Sequence, residues 1–411
     1  MHRKVNPTLP VQAPSIWFRL ALPLLLLLSA CTAPSPTTAP PGASTGTPAP
    51  PLQTAPPSNT PTKPSSPAPT ASQTSQATNS ETPTLTSSPT AGTGTAQATP
   101  ERLIIEPENA AGLQVVNSIV ESNTTSFVWM PGGEQLALAK QTQVLLFNLP
   151  DTQDVAEIAA DQPTYLAASP DRRQVAWGTQ DNTVQLWRVT EDEKPITLQV
   201  RDSAVTSLAF SPAGEDLAAS VYDRQVFLWN AASGEQKVAW EFPYFVTNLS
   251  FSPEGARLAG ADPENFTIHI WDKTSGDQLS ELAWTEHASP ALYGAFFSPD
   301  WKTVAWVARG TVQLMDVASG DLGPTLQHED FVNADVAWSP DGTLLASASA
   351  ATVEGEYVPV VVVWDTKTGD KIQTLPQEQP VTSLAFSPDG RELASLRFGG
   401  QLQIWAVPTQ P

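Results

Sequence analysis

Val381–Leu396 reads VTSLAFSPDGRELASL, and Val205–Ser220 reads VTSLAFSPAGEDLAAS. In both, an alternating apolar run leads into Ser-Pro-Asp-Gly or a close variant, and a second apolar run follows. Proline presets φ at the second turn position, aspartate can bond its own backbone nearby, and glycine fits the last position. The pattern predicts a tight hairpin between two short strands.

The same hairpin is written seven times. The other copies are SFVWMPGGEQLALA (126–139), YLAASPDRRQVAWG (165–178), NLSFSPEGARLAG (248–260), GAFFSPDWKTVAWV (294–307) and DVAWSPDGTLLASA (335–348). Their prolines, Pro131, Pro170, Pro212, Pro253, Pro299, Pro340 and Pro388, are spaced 39 to 48 residues apart. A period in this range signals a repeat architecture. Each copy is followed by a third strand, such as VQLWRV (184–189), VFLWNA (226–231), IHIWDK (268–273), VVVWDT (361–366) or LQIWAV (402–407). A weaker fourth strand follows most of these.

Four strands per repeat, seven repeats and a Trp-Asp ending on the third strand resemble the WD40 family over essentially all of 101–411. TolB-like propellers share the Ser-Pro-Asp-Gly turn but lack the recurrent tryptophan, here Trp187, Trp229, Trp271, Trp364 and Trp405. The resemblance implies an all-β, seven-bladed propeller of four-stranded antiparallel blades. The last repeat stops at its third strand, so its fourth must come from elsewhere or a sheet edge stays open. LQVVNSIV (113–120) is expected to pair with the last blade and close the ring, as in WD40 propellers.

The rest of the chain differs in composition. Residues 1–30 read as a lipoprotein signal peptide. Arg3, Lys4 and Arg19 precede the apolar run Leu20–Leu28, which is too short to span a bilayer. The run ends in Leu28-Ser29-Ala30-Cys31, which resembles the bacterial lipobox and places a lipid on Cys31, the one cysteine of the chain. Residues 31–100 form a Pro/Thr/Ser/Ala-rich tether whose only charges are Lys63 and Glu81. Such a segment buries too little apolar surface to offset its ordering entropy. At ~3.1 Å per residue it reaches roughly 200 Å when extended. The expected location is therefore outside the cytoplasmic membrane, in a bacterial cell envelope.

Of 21 basic and 42 acidic side chains, 17 and 41 lie in 101–411. A charge of this sign repels nucleic acid. No nucleophile elbow, metal-binding His pair, phosphate loop or dinucleotide fingerprint occurs, so no catalytic residue, cofactor or metal is expected. His269 lies within a third strand and reads as structural. His287 and His328 precede first strands, where the WD40 resemblance implies a His that bonds an Asp and the Trp. The Asp position is filled by Asp181 and Asp223, ahead of Trp187 and Trp229. Repeats with the Asp lack the His, so no repeat holds the full network.

In a WD40-like propeller, the loops from fourth to first strand and from second to third strand share one end. Acids gather there, including Asp262, Glu264, Glu286, Glu329, Asp330, Glu354 and Glu356, and aromatics join them, including Trp240, Tyr244, Phe245 and Trp284. A longer loop at 350–359 is expected to stand over this end. The resulting expectation is a monomeric, non-enzymatic scaffold that binds a protein partner, basic in character. The alternative is an extracytoplasmic enzyme or small-ligand binder that uses the central channel.

Overall fold

The computed structural model describes residues 102–149, 153–189, 194–201, 203–285, 292–308, 310–328, 332–353 and 356–409. The signal peptide, Cys31 and the tether lie outside them. Strand β1 (Gln114–Val120) comes first in the chain but belongs to the last blade. Blade 1 holds β2 (Thr124–Trp129), β3 (Gln135–Lys140), β4 (Gln143–Asn148) and β5 (Gln153–Ala159). Blade 2 holds β6 (Thr164–Ala168), β7 (Gln174–Gly178), β8 (Thr183–Arg188) and β9 (Ile196–Gln199). Blade 3 holds β10 (Val205–Phe210), β11 (Asp216–Val221), β12 (Gln225–Asn230) and β13 (Gln236–Glu241). Blade 4 holds β14 (Thr247–Phe251), β15 (Arg257–Asp262), β16 (Thr267–Asp272) and β17 (Gln278–Ala283). Blade 5 holds β18 (Leu292–Phe297), β19 (Thr303–Ala308), β20 (Thr311–Asp316) and β21 (Leu322–Gln327). Blade 6 holds β22 (Val332–Trp338), β23 (Leu344–Val353), β24 (Glu356–Asp365) and β25 (Lys371–Pro376). Blade 7 holds β26 (Val381–Phe386), β27 (Glu392–Arg397) and β28 (Gln401–Ala406), with β1 as its outer strand.

The first strands contact one another in the cycle β2–β6–β10–β14–β18–β22–β26–β2, so they surround the axis. The fold is a seven-bladed β-propeller of four-stranded antiparallel sheets. Apolar clusters fill the wedges between blades. Leu136 and Leu138 of β3 turn toward blade 7, while Ala137 between them turns toward blade 2. Second strands are covered on both sides, which is why β11 and β27 are buried at all six positions, their polar residues included.

The repeated turn explains its own sequence. In blade 6, Ser339 Oγ donates to Asp341 Oδ1 (2.6 Å) and accepts from Leu344 N (2.9 Å), while Gly342 N donates to Ser339 O (2.9 Å). Gly342 has φ +74°, a left-handed conformation that favours glycine. Arg172 and Trp301 hold that position in blades 2 and 5, with φ +65° and +60°. Trp301 gains a bond from its Nε1 to Ser250 Oγ (2.9 Å) and a stack on Phe297 (4.5 Å). At the same end, Asp216 of blade 3 is buried and receives Lys237 of its own blade and Lys273 of blade 4 (2.6 Å). Burial pushes its carboxyl up, but the two ammonium groups outweigh this and hold it below the usual range.

β1 pairs antiparallel with β28 from Gln114↔Ala406 to Val120↔Gln401, with a bulge between Val115 and Asn117. The segment before it is fastened to the same blade. Leu103 N donates to Val407 O (3.2 Å), Ile105 N donates to Gly390 O (2.8 Å), and Arg102 pairs with Glu392. Ile119 of β1 is 4% exposed and packs with Phe127 and Leu138 of blade 1. Ile119→Ala is expected to lower stability by about 2–5 kcal/mol, read as a fall in the thermal midpoint. An unchanged midpoint would mean that β1 contributes little to closure.

Candidate functional site

Because strands alternate in direction, each first strand starts, and each second strand ends, at the end opposite the Ser-Pro-Asp-Gly turns. The described acids and aromatics singled out in the sequence lie in loops or on strand ends, and the structure sorts them. Glu264 and Glu356 are exposed. Asp262 is not: it is 1% exposed. Its Oδ1 accepts Glu264 N (3.0 Å) and Asn265 N (3.2 Å), its Oδ2 accepts Asn265 Nδ2 (2.7 Å), and His269 Nε2 lies 4.0 Å away. Burial pushes the Asp262 carboxyl up, but His269, Asn265 and the loop N–H groups hold it below the usual range. Asp262 therefore shapes its own loop and has no surface for a partner.

Trp284 needs the same correction. It is 5% exposed and packs beside Phe266 (6.3 Å) and Trp306 (6.1 Å) in the wedge between blades 4 and 5. Trp240 is half-buried and lies over Gly276 of blade 4. Tyr244 stacks on His269 (3.7 Å, 9°), and its hydroxyl donates to Gln278 Oε1 (3.0 Å). Phe242 stacks on Trp271 at 4.6 Å. The loop 242–246 thus folds onto the flank of blade 4. Phe245 remains half-buried and meets Tyr222, 44% exposed, at 4.8 Å. Glu286, Glu329, Asp330 and Glu354 lie outside the described residues.

The bases at this end are partly neutralised. Lys140 bonds Glu121 (2.7 Å). Arg397 is 3% exposed and donates to Gln377 Oε1 (3.1 Å), Gln401 Oε1 (2.9 Å) and Glu378 Oε2 (3.1 Å). The exposed acids Asp223, Glu241, Glu264 and Glu356 have no such restraint among the described bonds. Sequence reasoning missed Tyr165 (51% exposed), near the start of β6, and three exposed aromatics in or beside short links between second and third strands: Tyr222, Tyr357 (64%) and Phe398 (48%). Their place in those links could have flagged the last three.

The segment expected as a loop at 350–359 is instead a continued hairpin. Ala350 pairs with Pro359, Ala351 with Val358 and Thr352 with Tyr357. β23 and β24 each run ten residues, against six for β11 and β12. The added pairs form a ribbon reaching about 13 Å beyond the blade at ~3.4 Å per residue. Ala351 and Val358 pack toward blade 5.

The histidine–tryptophan contacts also differ from the sequence reading. Asp181 and Asp223 are exposed, and the described bonds link neither carboxylate to Trp187 or Trp229. Those two tryptophans are buried, with Trp229 stacked on Phe227 at 5.5 Å. In blade 6 a serine does the linking: Trp364 Nε1 donates to Ser347 Oγ (2.8 Å), which lies 3.2 Å from His328 Nε2. In blade 7 Trp405 Nε1 donates to Ser395 Oγ (3.0 Å). Burial, followed by the Lys371 charge, pushes His328 down to about 4. The cavity beside it, lined in part by Val360, Val362 and Trp364, is about 50 Å³, room for a water or two. Among the described residues no three His, Cys, Asp or Glu side chains converge as metal ligands.

A histidine kept neutral by the fold stabilises it above the unfolded pKa of about 6.5, and that contribution is lost as pH falls toward 4. The His328 contribution to the thermal midpoint should therefore fall between pH 6.5 and 4. His328→Gln, which cannot titrate, should flatten that slope. An equal slope in both proteins would place the titrating group elsewhere.

Comparison with known proteins fits this architecture. The family described as WD domain, G-beta repeat matches residues 194–230, 320–353 and 369–406. Periodic tryptophan protein 2 of Arabidopsis thaliana is 29% identical over 236 residues, covering 56% of this chain and 25% of that protein. Eukaryotic translation initiation factor 3 subunit I of Pyricularia oryzae is 24% identical over 237 residues, covering 55% and 67%. Protein TOPLESS of Arabidopsis thaliana is 25% identical over 219 residues, covering 50% and 19%. The chain thus spans from a fifth to two thirds of the length of these relatives. WD repeats in a closed seven-bladed ring support the WD40 β-propeller family.

Proposed function

We propose that this WD40-repeat propeller is a non-enzymatic protein-interaction scaffold, held outside the cytoplasmic membrane by a lipid on Cys31. The observation that carries the scaffold reading is the set of exposed acids and aromatics at the end opposite the Ser-Pro-Asp-Gly turns. That end exposes Asp223, Glu241, Glu264 and Glu356 together with Tyr222, Tyr357 and Phe398, while Lys140 and Arg397 are tied to carboxylates. Exposed aromatics within a polar rim are what interface centres use. Acid in excess favours a partner with a basic surface and speeds its encounter at low salt. One relative is by name a subunit of a larger factor.

The anchoring reading rests on the lipobox and the tether. The path of the chain is compatible with it. Arg102 pairs with Glu392 and Ile105 bonds Gly390, so the described chain enters the propeller at the turn end.

Affinity capture from native membranes tests the scaffold. The full-length protein is compared with a variant carrying Asp223→Lys, Glu241→Lys, Glu264→Lys and Glu356→Lys. A partner held by the wild type and lost by the variant, at an unchanged melting temperature, is the expected result. Equal recovery would sink the acidic-face reading. Anchoring is tested separately by Cys31→Ala, which should move the protein from the membrane pellet to the soluble fraction. Retention in the pellet would refute the lipid on Cys31.

A further inference from the structure

We propose that the three-residue link between β11 and β12, Tyr222–Arg224, is the anchor point of this face and receives an arginine side chain of the partner. The inference rests on the scaffold reading above and gives it a location and a chemistry.

The link is short and held from both sides. Tyr222 N donates to Ala204 O (2.9 Å) and Asp223 N to Ser203 Oγ (2.8 Å), both in the loop that leads into blade 3. Phe242 N, in the loop that leaves the blade, donates to Arg224 O (2.9 Å). Each of the three residues therefore has a backbone bond to a flanking loop. All three side chains nevertheless remain exposed. An exposed aromatic on a fixed backbone loses little conformational freedom when a partner docks.

The chemistry displayed there suits a planar cation. The Tyr222 ring leans on Phe245 at 4.8 Å and 52°, so two aromatic rings form an angled wall. The negative faces of such rings attract a guanidinium. Asp223 is the next residue, and Glu241 stands at the top of β13 opposite Gln225. Carboxylates beside an aromatic wall allow a guanidinium to stack and donate charge-assisted bonds at once, which the compact ammonium of lysine does less well. The other two exposed aromatics in or beside such links lack this setting: Tyr357 rides on the projecting ribbon, and Phe398 is followed by Gly399 and Gly400. Arg224 carries the opposite charge at the far end of the link and opposes the incoming cation.

The test uses the full-length protein in detergent micelles and a fluorescein-labelled peptide with arginines in a glycine–serine background. A second peptide has citrulline at the same positions, which keeps the shape and removes the charge. Binding is read by anisotropy at low salt. The arginine peptide should bind about tenfold more tightly than the citrulline one. Tyr222→Leu should weaken it by about tenfold, Tyr222→Phe should leave it unchanged, and Arg224→Ala should strengthen it. Thermal melts of each variant check the fold. If Tyr222→Leu binds like the wild type while Glu264→Lys or Glu356→Lys abolishes binding, the anchor point is wrong and the acidic face stands. If the arginine peptide binds no better than the citrulline peptide, or no variant alters binding, the anchor falls, and the charge-based reading of the face falls with it.

Discussion

A ring of sheets depends on its last contact. Each blade buries both of its faces against neighbours, so a gap anywhere exposes two apolar faces at once. The chain avoids that gap by placing β1, which precedes all seven repeats, on β28, which ends the last. Ile119 then seals the wedge toward blade 1, while Ile105 and Leu113 add to the wedge between blades 6 and 7. The identity of the interior residues follows from this. Leucine, valine and tryptophan fill the wedges, with buried alanines among them, such as Ala218 and Ala259 in consecutive blades.

The architecture was legible because it was stated seven times. A single Ser-Pro-Asp-Gly stretch is a weak signal, but seven at a near-constant spacing leave few folds that accommodate them. The interaction end was less legible because repeats do not determine what a loop residue touches. Asp262 and Trp284 occupy loop positions in the sequence, yet each is buried by residues that lie apart from it in the chain: His269 on β16 for one, Trp306 of the next blade for the other. Tyr222 stays exposed for the converse reason, since its backbone is held and its ring has only Phe245 beside it. Ser347, which joins His328 to Trp364, lies in a second strand whose serines the repeat pattern gives no partner. The ribbon of blade 6 was hidden by Pro359, which reads as a strand breaker but sits where its missing N–H leaves the ladder to β23 intact.

Blades 6 and 7 also hold buried ionisable groups. Asp335 on β22 accepts Leu384 N of blade 7 at 2.6 Å, and burial pushes its carboxyl up to about 6. A raised carboxyl favours the fold at low pH and is lost as pH rises through 6, whereas His328 favours it at higher pH. The two dependences oppose each other between about pH 4 and 6, so each partly offsets the other.

The position of Arg102 has a mechanical consequence. The chain reaches blade 7 at the turn end, and β1 then runs toward the opposite end, antiparallel to β28. A pull on the N-terminal segment, opposed by a load on the far end of the ring, acts along β1 rather than across it. The hydrogen bonds of that ladder are then strained together instead of parting one by one. Closure of the ring and resistance to shear are supplied by the same strand.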